Sequence, residues 1–344
     1  MNYVLWIQDI VYAHQTILGV SSRRIRGLDI GTGATAIYPI LACKTEQSWE
    51  MVVTELDDYS YECACDNVSS NNMQTSIKVK KASVDGPILF PVENQNFDFS
   101  MCNPPFYGSK EEVAQSAESK ELPPNAVCTG AEIEMIFSQG GEEGFVGRMV
   151  EESERLQTRC KWYTSMLGKM SSVSTIVQAL RARSIMNYAI TEFVQGQTRR
   201  WAIAWSFSDT HLPDAVSRIS SNTLSQPFPS FSPSEVENAL FEVLQAIPGS
   251  ENTWSRSARR GNQNRKVGDR DQASVSAKDR SQILKPALAC SCRVDCVPQE
   301  VDDDGGVLCS MESQWIYGSD RGLFESFVGH VGRKVSAALK TKMV

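Results

Sequence analysis

No run in this sequence approaches the roughly 18 uninterrupted apolar residues that a membrane-crossing helix needs. Its first residues, Met1 to Ala13, carry Gln8 and Asp9 where a secretory leader would have a basic stretch before an apolar one. The reading is a soluble, unsecreted protein without a membrane partner. Basic charge is not in excess either. The net charge of −7 (34 Lys and Arg against 41 Asp and Glu) announces no nucleic-acid partner, so any such partner must be met by local basic patches. The three histidines, His14, His211 and His330, are isolated, and no Ser/His/Asp constellation assembles around them. The ten cysteines are scattered, which favours reduced thiols inside the cell over a disulfide framework. Cys290, Cys292, Cys296 and Cys309 lack the paired two-residue gaps of common zinc knuckles, so no metal is expected.

What is present is a globular chain. Its 344 residues suffice for one large or two ordinary domains. Strand-like and helix-like patterns alternate through residues 1–210: strands over Arg26–Ile30, Trp49–Glu55, Ile77–Lys81 and Phe97–Cys102, and a helix over Tyr59–Asn72 with Tyr61, Cys65 and Val68 near one face. Tyr188–Phe193 and Arg200–Phe207 resemble a closing pair of strands. Strand, helix, strand, helix is the mark of a parallel α/β sheet. Tyr107–Gly130 shows no apolar period and is expected to be a mobile loop near the site.

Past residue 210 the character changes. Residues 211–285 read as a Ser/Pro-rich segment, a short amphipathic helix at Ser234–Ile247 and a basic linker. That linker, 256–285, holds nine Lys or Arg against three Asp and is expected to be disordered when free. Residues 286–344 end in an amphipathic helix over Gly322–Lys340, and this C-terminal region as a whole is expected to be less ordered than the first domain.

Three segments carry chemistry. Leu28-Asp29-Ile30-Gly31-Thr32-Gly33-Ala34-Thr35 puts two glycines after a strand, which allows a tight turn and close backbone approach to a ligand at the carboxyl edge of the sheet. The third glycine of a dinucleotide fingerprint is missing, since position 36 is Ala, and Asp29 suits a nucleoside bearing an amino acid better than a pyrophosphate. Glu55 ends the next strand, 26 positions after Asp29, close to where α/β cofactor sites place a ribose-binding carboxylate. A solvated acidic helix start at Glu55, Asp57 and Asp58 is the other reading.

The strongest segment is Asn103-Pro104-Pro105-Phe106, directly after an apolar strand. Prolines remove backbone donors, so carbonyls there are free to accept. An Asn oxygen and the Pro104 carbonyl can together take both hydrogens of an exocyclic amine, and Phe106 offers a stacking face for a planar base. A Pro-rich strand terminator with a core Phe is the structural alternative.

Asp29-Ile30-Gly31-Thr32-Gly33-Ala34 together with Asn103-Pro104-Pro105-Phe106 resembles an S-adenosylmethionine-dependent amino-methyltransferase, which implies an α/β domain of the Rossmann-like class. Gly31 to Pro39, Thr54 to Asp58, Trp162 to Lys169, and Thr191-Glu192-Phe193 through Gln195-Gly196 to Arg200-Trp201-Ala202-Ile203-Ala204-Trp205-Ser206 narrow the likeness. Together they resemble the methyltransferase-like protein 16 family, over about residues 2–208. These are RNA N6-adenosine methyltransferases whose eukaryotic members act on U6 small nuclear RNA and whose bacterial relatives act on an adenine of large-subunit ribosomal RNA.

The resemblance implies S-adenosyl-L-methionine as cofactor, structured RNA with an exposed adenosine as partner, and the nucleus as location, with the cytoplasm left open. It implies cofactor contacts at Gly31, Thr35 and Glu55, with Asp29, Gly33 and Ser83 alongside, and the target-amine site at Asn103, Pro104, Pro105 and Phe106, where Asn103 also borders the cofactor. Lys78, Lys80 and Lys81 stand near the family's basic loop, and Gly168-Lys169 resembles its RNA-facing loop. The family's basic N-terminal module, and a cofactor-contacting arginine just ahead of the Asn-Tyr pair, have no counterpart before Met1-Asn2-Tyr3, which implies a truncated sequence or weaker binding. The rivals that remain are methylation of another exocyclic amine, on a ribosomal RNA adenine or guanine or a protein glutamine, and a non-catalytic RNA-binding regulator.

Overall fold

The computed structural model describes residues 1–19, 24–113, 135–195, 198–217, 223–229, 231–247, 288–298, 307–318 and 320–341. They form two compact units, 1–222 and 223–344. In the first, elements run α1 (Asn2–Leu18), β1 (Ile25–Ile30), α2 (Ile37–Thr45), β2 (Trp49–Glu55), α3 (Asp58–Ser70), β3 (Ile77–Lys81), α4 (Phe90–Asn94) and β4 (Phe97–Cys102). They continue with α5 (Gly141–Leu156), β5 (Cys160–Leu167), α6 (Met170–Ala182), β6 (Tyr188–Gln195) and β7 (Thr198–Trp205).

The seven strands form one sheet in the order β3-β2-β1-β4-β5-β7-β6. β3 through β5 run parallel, while β7 is antiparallel to both β5 and β6. The central strands β2, β1, β4 and β5 are largely hydrophobic because helices cover both faces, while β3 at the edge carries three lysines. On one face α1, α2 and α3 pack Ile7, Ile10, Ile40 and Val68 against Met51, Val53, Phe99 and Met101. On the other, α4, α5 and α6 pack Val92, Met149, Val150 and Ile176 against Leu28, Ile30 and Tyr163.

The sheet order reverses between β1 and β4, and such a switch point opens a crevice at the strands' carboxyl ends. The register sets its contents. Ile30 pairs with Cys102, so the glycine turn after β1 and the Asn-Pro-Pro segment after β4 leave the sheet side by side.

Several expectations shift in detail. The face of α3 that is buried carries Ser60, Ala64 and Val68; Tyr61 and Cys65 lie at its border. Polar and small residues dominate that helix, so large side chains misplace the stripe. In the expected loop from Tyr107, residues 110–113 begin a helical turn and 114–134 lie outside the described residues. The basic linker, 256–285, lies wholly outside them.

The second unit contains β8 (Thr223–Phe228), α7 (Pro233–Gln245), β9 (Ala289–Pro298), β10 (Val307–Tyr317) and α8 (Arg321–Thr341). Its sheet has the order β8-β10-β9, and Cys309, Met311 and Trp315 of β10 pack on Val236 and Leu240 of α7 and on Phe324, Val328, Val331 and Val335 of α8. The described part of this region is therefore a folded layer with its own core, where the sequence indicates less order. The division falls at 222, whereas the sequence reading divides the chain at 210 and 285. β8 carries Ser225, Gln226 and Pro227, residues that disguise a strand.

Candidate functional site

At the switch point lies a cavity of about 820 Å³, lined by the 30–35 turn, Thr54, Glu55, Leu56, Ala82, Ser83, Asn103 and Pro105, with Phe137, Phe145 and Arg148. That volume lies within the usual range for small-molecule sites. Gly31 and Gly33 have φ of 65° and 66°, a left-handed conformation that glycine adopts without steric cost. A Cβ built on either would meet nothing within 4 Å, so the backbone there is bare toward the open side.

Glu55 is 4% exposed and holds the turn in shape. Its Oε2 accepts from the Gly33 amide at 2.8 Å, and its Oε1 accepts from the Leu56 and Asp57 amides at 2.7 and 3.0 Å. A carboxylate has about four acceptor positions, and three are taken, so Oε2 keeps room for one more donor such as a ribose hydroxyl. Asp57 caps α3 by accepting from Ser60 N at 2.8 Å, so the acidic helix start is structural while Glu55 faces the cavity.

Asp29 sits behind the turn and does not line the cavity. Its Oδ2 and the Thr32 hydroxyl are buried without a hydrogen-bond partner. Burial first, and the Glu55 charge to a smaller degree, push the Asp29 carboxyl up to about 7; the Thr32 hydroxyl opposes this without reaching hydrogen-bond geometry.

A raised carboxyl stabilises the fold below its unfolded value of 3.8, and that contribution is lost as pH rises toward about 7. Asp29→Asn is therefore expected to match the parent in stability near pH 4. It should exceed the parent at pH 8 by up to about 4 kcal/mol. Thermal melts at the two pH values check this, and an equal difference at both would refute it.

The part of the cavity wall formed by Gly86 to Ile88 is pinned by a second carboxylate. Glu152 accepts from Ile88 N and Leu89 N at 3.0 and 2.8 Å, and Arg148 joins it at 3.1 Å while donating to the Gly86 carbonyl at 2.8 Å. Neither residue carries a motif; only their place on α5 brings them here. Ser83 lies on this wall. Lys81 instead pairs with Asp58 at 2.9 Å and donates to the Leu56 carbonyl, so it braces the β2 end.

Asn103 is exposed at the cavity mouth with no hydrogen-bond partner among the described residues, and Pro104 behind it is buried. Tyr3 of α1 braces the strand end: its hydroxyl accepts from Cys102 N at 3.2 Å and bonds Thr164 Oγ1 at 2.6 Å. Phe106 does not line the cavity. Its ring stands beside it, with the Arg200 guanidinium 5.4 Å from the centroid and Gly168 against its edge. The structure thus gathers Gly31, Gly33, Thr35, Glu55, Ser83, Asn103 and Pro105 around one cavity, with Asp29, Pro104 and Phe106 next to it.

The residues fit a nucleoside-type cofactor: a bare glycine turn, a buried carboxylate with a free acceptor position, and the orphaned Asp29 and Thr32 oxygens behind it.

Comparison with known proteins agrees. A family model described as RNA methyltransferase matches residues 1–209. The U6 small nuclear RNA (adenine-(43)-N(6))-methyltransferase of Schizosaccharomyces pombe is 35% identical, over 96% of this chain and 84% of that protein. The mouse RNA N(6)-adenosine-methyltransferase METTL16 is 39% identical over 61% of this chain; the chain spans only 38% of that protein's length. A crystal structure of the hMettl16 catalytic domain in complex with MAT2A 3′UTR hairpin 6 superposes with a TM-score of 0.53 at 38% identity, covering 62% of this chain and 72% of that one.

Proposed function

Because this chain belongs to the RNA methyltransferase family, we propose that it methylates N6 of an adenosine in structured RNA, with U6 small nuclear RNA as substrate and S-adenosyl-L-methionine as methyl donor. The observation that carries this reading is the Ile30–Cys102 pairing, which sets the glycine turn and Asn103 at one cavity mouth. A small nuclear RNA substrate makes the nucleus the proposed place of action.

The cofactor, when bound, supplies a methyl group on a cationic sulfur, an electrophile strong enough for a neutral amine. The Gly31–Thr35 turn, Glu55, Leu56 and Ser83 would hold it, with Glu55 Oε2 accepting a ribose hydroxyl.

The chain's own work is alignment. The Asn103 side-chain oxygen and the Pro104 carbonyl accept the two N6 hydrogens of an adenine taken out of its stack, and Phe106 gives the base an aromatic face. Both hydrogens held in this way turn the nitrogen lone pair toward the cavity. Orienting two reactants so is worth on the order of 7 kcal/mol or more. A neutral amine attacking a cationic centre needs no strong base: the methylated nitrogen gives its surplus proton to water afterwards.

The test is transfer of a labelled methyl group to in vitro transcribed U6 RNA, with large-subunit ribosomal RNA and a protein glutamine substrate as the other arms. Label on U6 adenosine is expected, and label on the ribosomal or protein arm alone would overturn the substrate. Measurable RNA affinity without cofactor binding by titration calorimetry would make the protein a regulator.

A further inference from the structure

The chemistry above leaves the buried Glu142 carboxylate unused. Glu142, in the first turn of α5, is 3% exposed. Moving a carboxylate out of water costs several kcal/mol, so its partners must offset that cost. They are not in its own helix. Its Oε2 accepts from Gly168 N at 2.5 Å and its Oε1 from Lys169 N at 3.1 Å, both in the corner that joins β5 to α6.

That corner touches Phe106. A Cβ on Gly168 would stand 3.1 Å from Phe106 Cδ1 and 3.0 Å from Glu142 Oε2, so glycine lets the corner lie flat against both. On the other side, a Cβ on Gly141 would stand 3.1 Å from Gly108 N and 3.3 Å from the Phe106 carbonyl oxygen, so the start of α5 also lies on the backbone that carries the ring. A second carboxylate closes the circuit. Glu112 accepts from Gly108 N at 2.8 Å and pairs with Lys169 Nζ at 2.7 Å.

The geometry points to Glu142 as a positioning residue for the target base: by taking both backbone donors of the Gly168–Lys169 corner, it holds that corner on Phe106 and fixes the ring beside Asn103. This rests on the reading of Phe106 as the stacking face. Glu142 does not line the cofactor cavity, so its effect should appear in RNA turnover and not in cofactor affinity.

The experiment is a double-mutant cycle on kcat/KM for U6 RNA, using Glu142→Gln, Phe106→Leu and the double variant. Glutamine keeps the shape but turns an amide nitrogen toward one backbone N–H. Expected are a loss on the order of tenfold from Glu142→Gln in the parent, an unchanged S-adenosylmethionine Kd, and a much smaller loss in the Phe106→Leu background. Equal losses in both backgrounds would overturn the inference, because a merely structural carboxylate would act independently of the ring. Should Glu142→Gln fail to fold, Gly168→Ala presses on the same ring, and its loss must likewise shrink beside Phe106→Leu. An active parent with additive losses removes the inference alone, whereas a parent that binds cofactor but methylates no RNA removes the functional reading and this inference with it.

Discussion

Asn103→Ala is expected to lower methyl transfer to U6 RNA on the order of 100-fold or more while leaving S-adenosylmethionine affinity little changed. The size follows from the general cost of removing one preorganised polar contact at a reacting centre. The selectivity follows from the structure: Asn103 stands exposed at the cavity mouth, makes no hydrogen bond to another described residue and holds no part of the fold. Its removal takes one acceptor from the amine and leaves the Pro104 carbonyl in place. Single-turnover kinetics with labelled cofactor, beside titration calorimetry, separates the two effects. Retained turnover would remove Asn103 from the chemistry.

Glu55→Ala is expected to fail in the opposite way, losing cofactor binding and stability together. The substitution releases the amides of Gly33, Leu56 and Asp57 from a carboxylate that is 4% exposed. Bonds to a charged group contribute about 1.5–3 kcal/mol each, so a loss of about 4 kcal/mol or more is expected. The glycine turn, no longer tied to the end of β2, should then lose the shape a ligand needs. Urea unfolding reads the first effect and calorimetry the second. Full cofactor affinity in this variant would show that Glu55 is a structural tie only.

Much of this was legible in the residues. β2, β3 and β4 run over the stretches that alternation and apolar runs indicate: β2 and β4 are covered on both faces and so largely apolar, whereas β3 at the sheet edge alternates Ile77 and Val79 with lysines. The terminal helix was equally plain: Phe324, Val328, Val331, Val335 and Leu339 repeat at the helical period and all are buried. The glycine turn and Asn103 stand out because each directly follows a strand, and Glu55 because it closes one.

Other parts were not. α1 had a usable signal, with Tyr3, Ile7, Ile10 and His14 at helical spacing, yet no short-range pattern could tell that Tyr3 would reach Cys102 and Thr164. The Arg148–Glu152 pair and Glu142 are ordinary helix residues by sequence. Their partners at Gly86, Ile88 and Leu89, and at Gly168 and Lys169, lie 26 to 64 positions away. The motif marks Phe106 as a stacking face, but whether its ring lines the cavity or stands beside it depends on Gly168 and Arg200, both remote in the chain.

Because β1 and β4 are hydrogen-bonded neighbours, the offset between the glycine turn and the Asn103 segment is set at its base by the spacing of two parallel strands, about 4.8 Å, and not by the length of any connecting segment. Residues added to or removed from the loops around the cavity therefore leave the footing of these two segments unchanged.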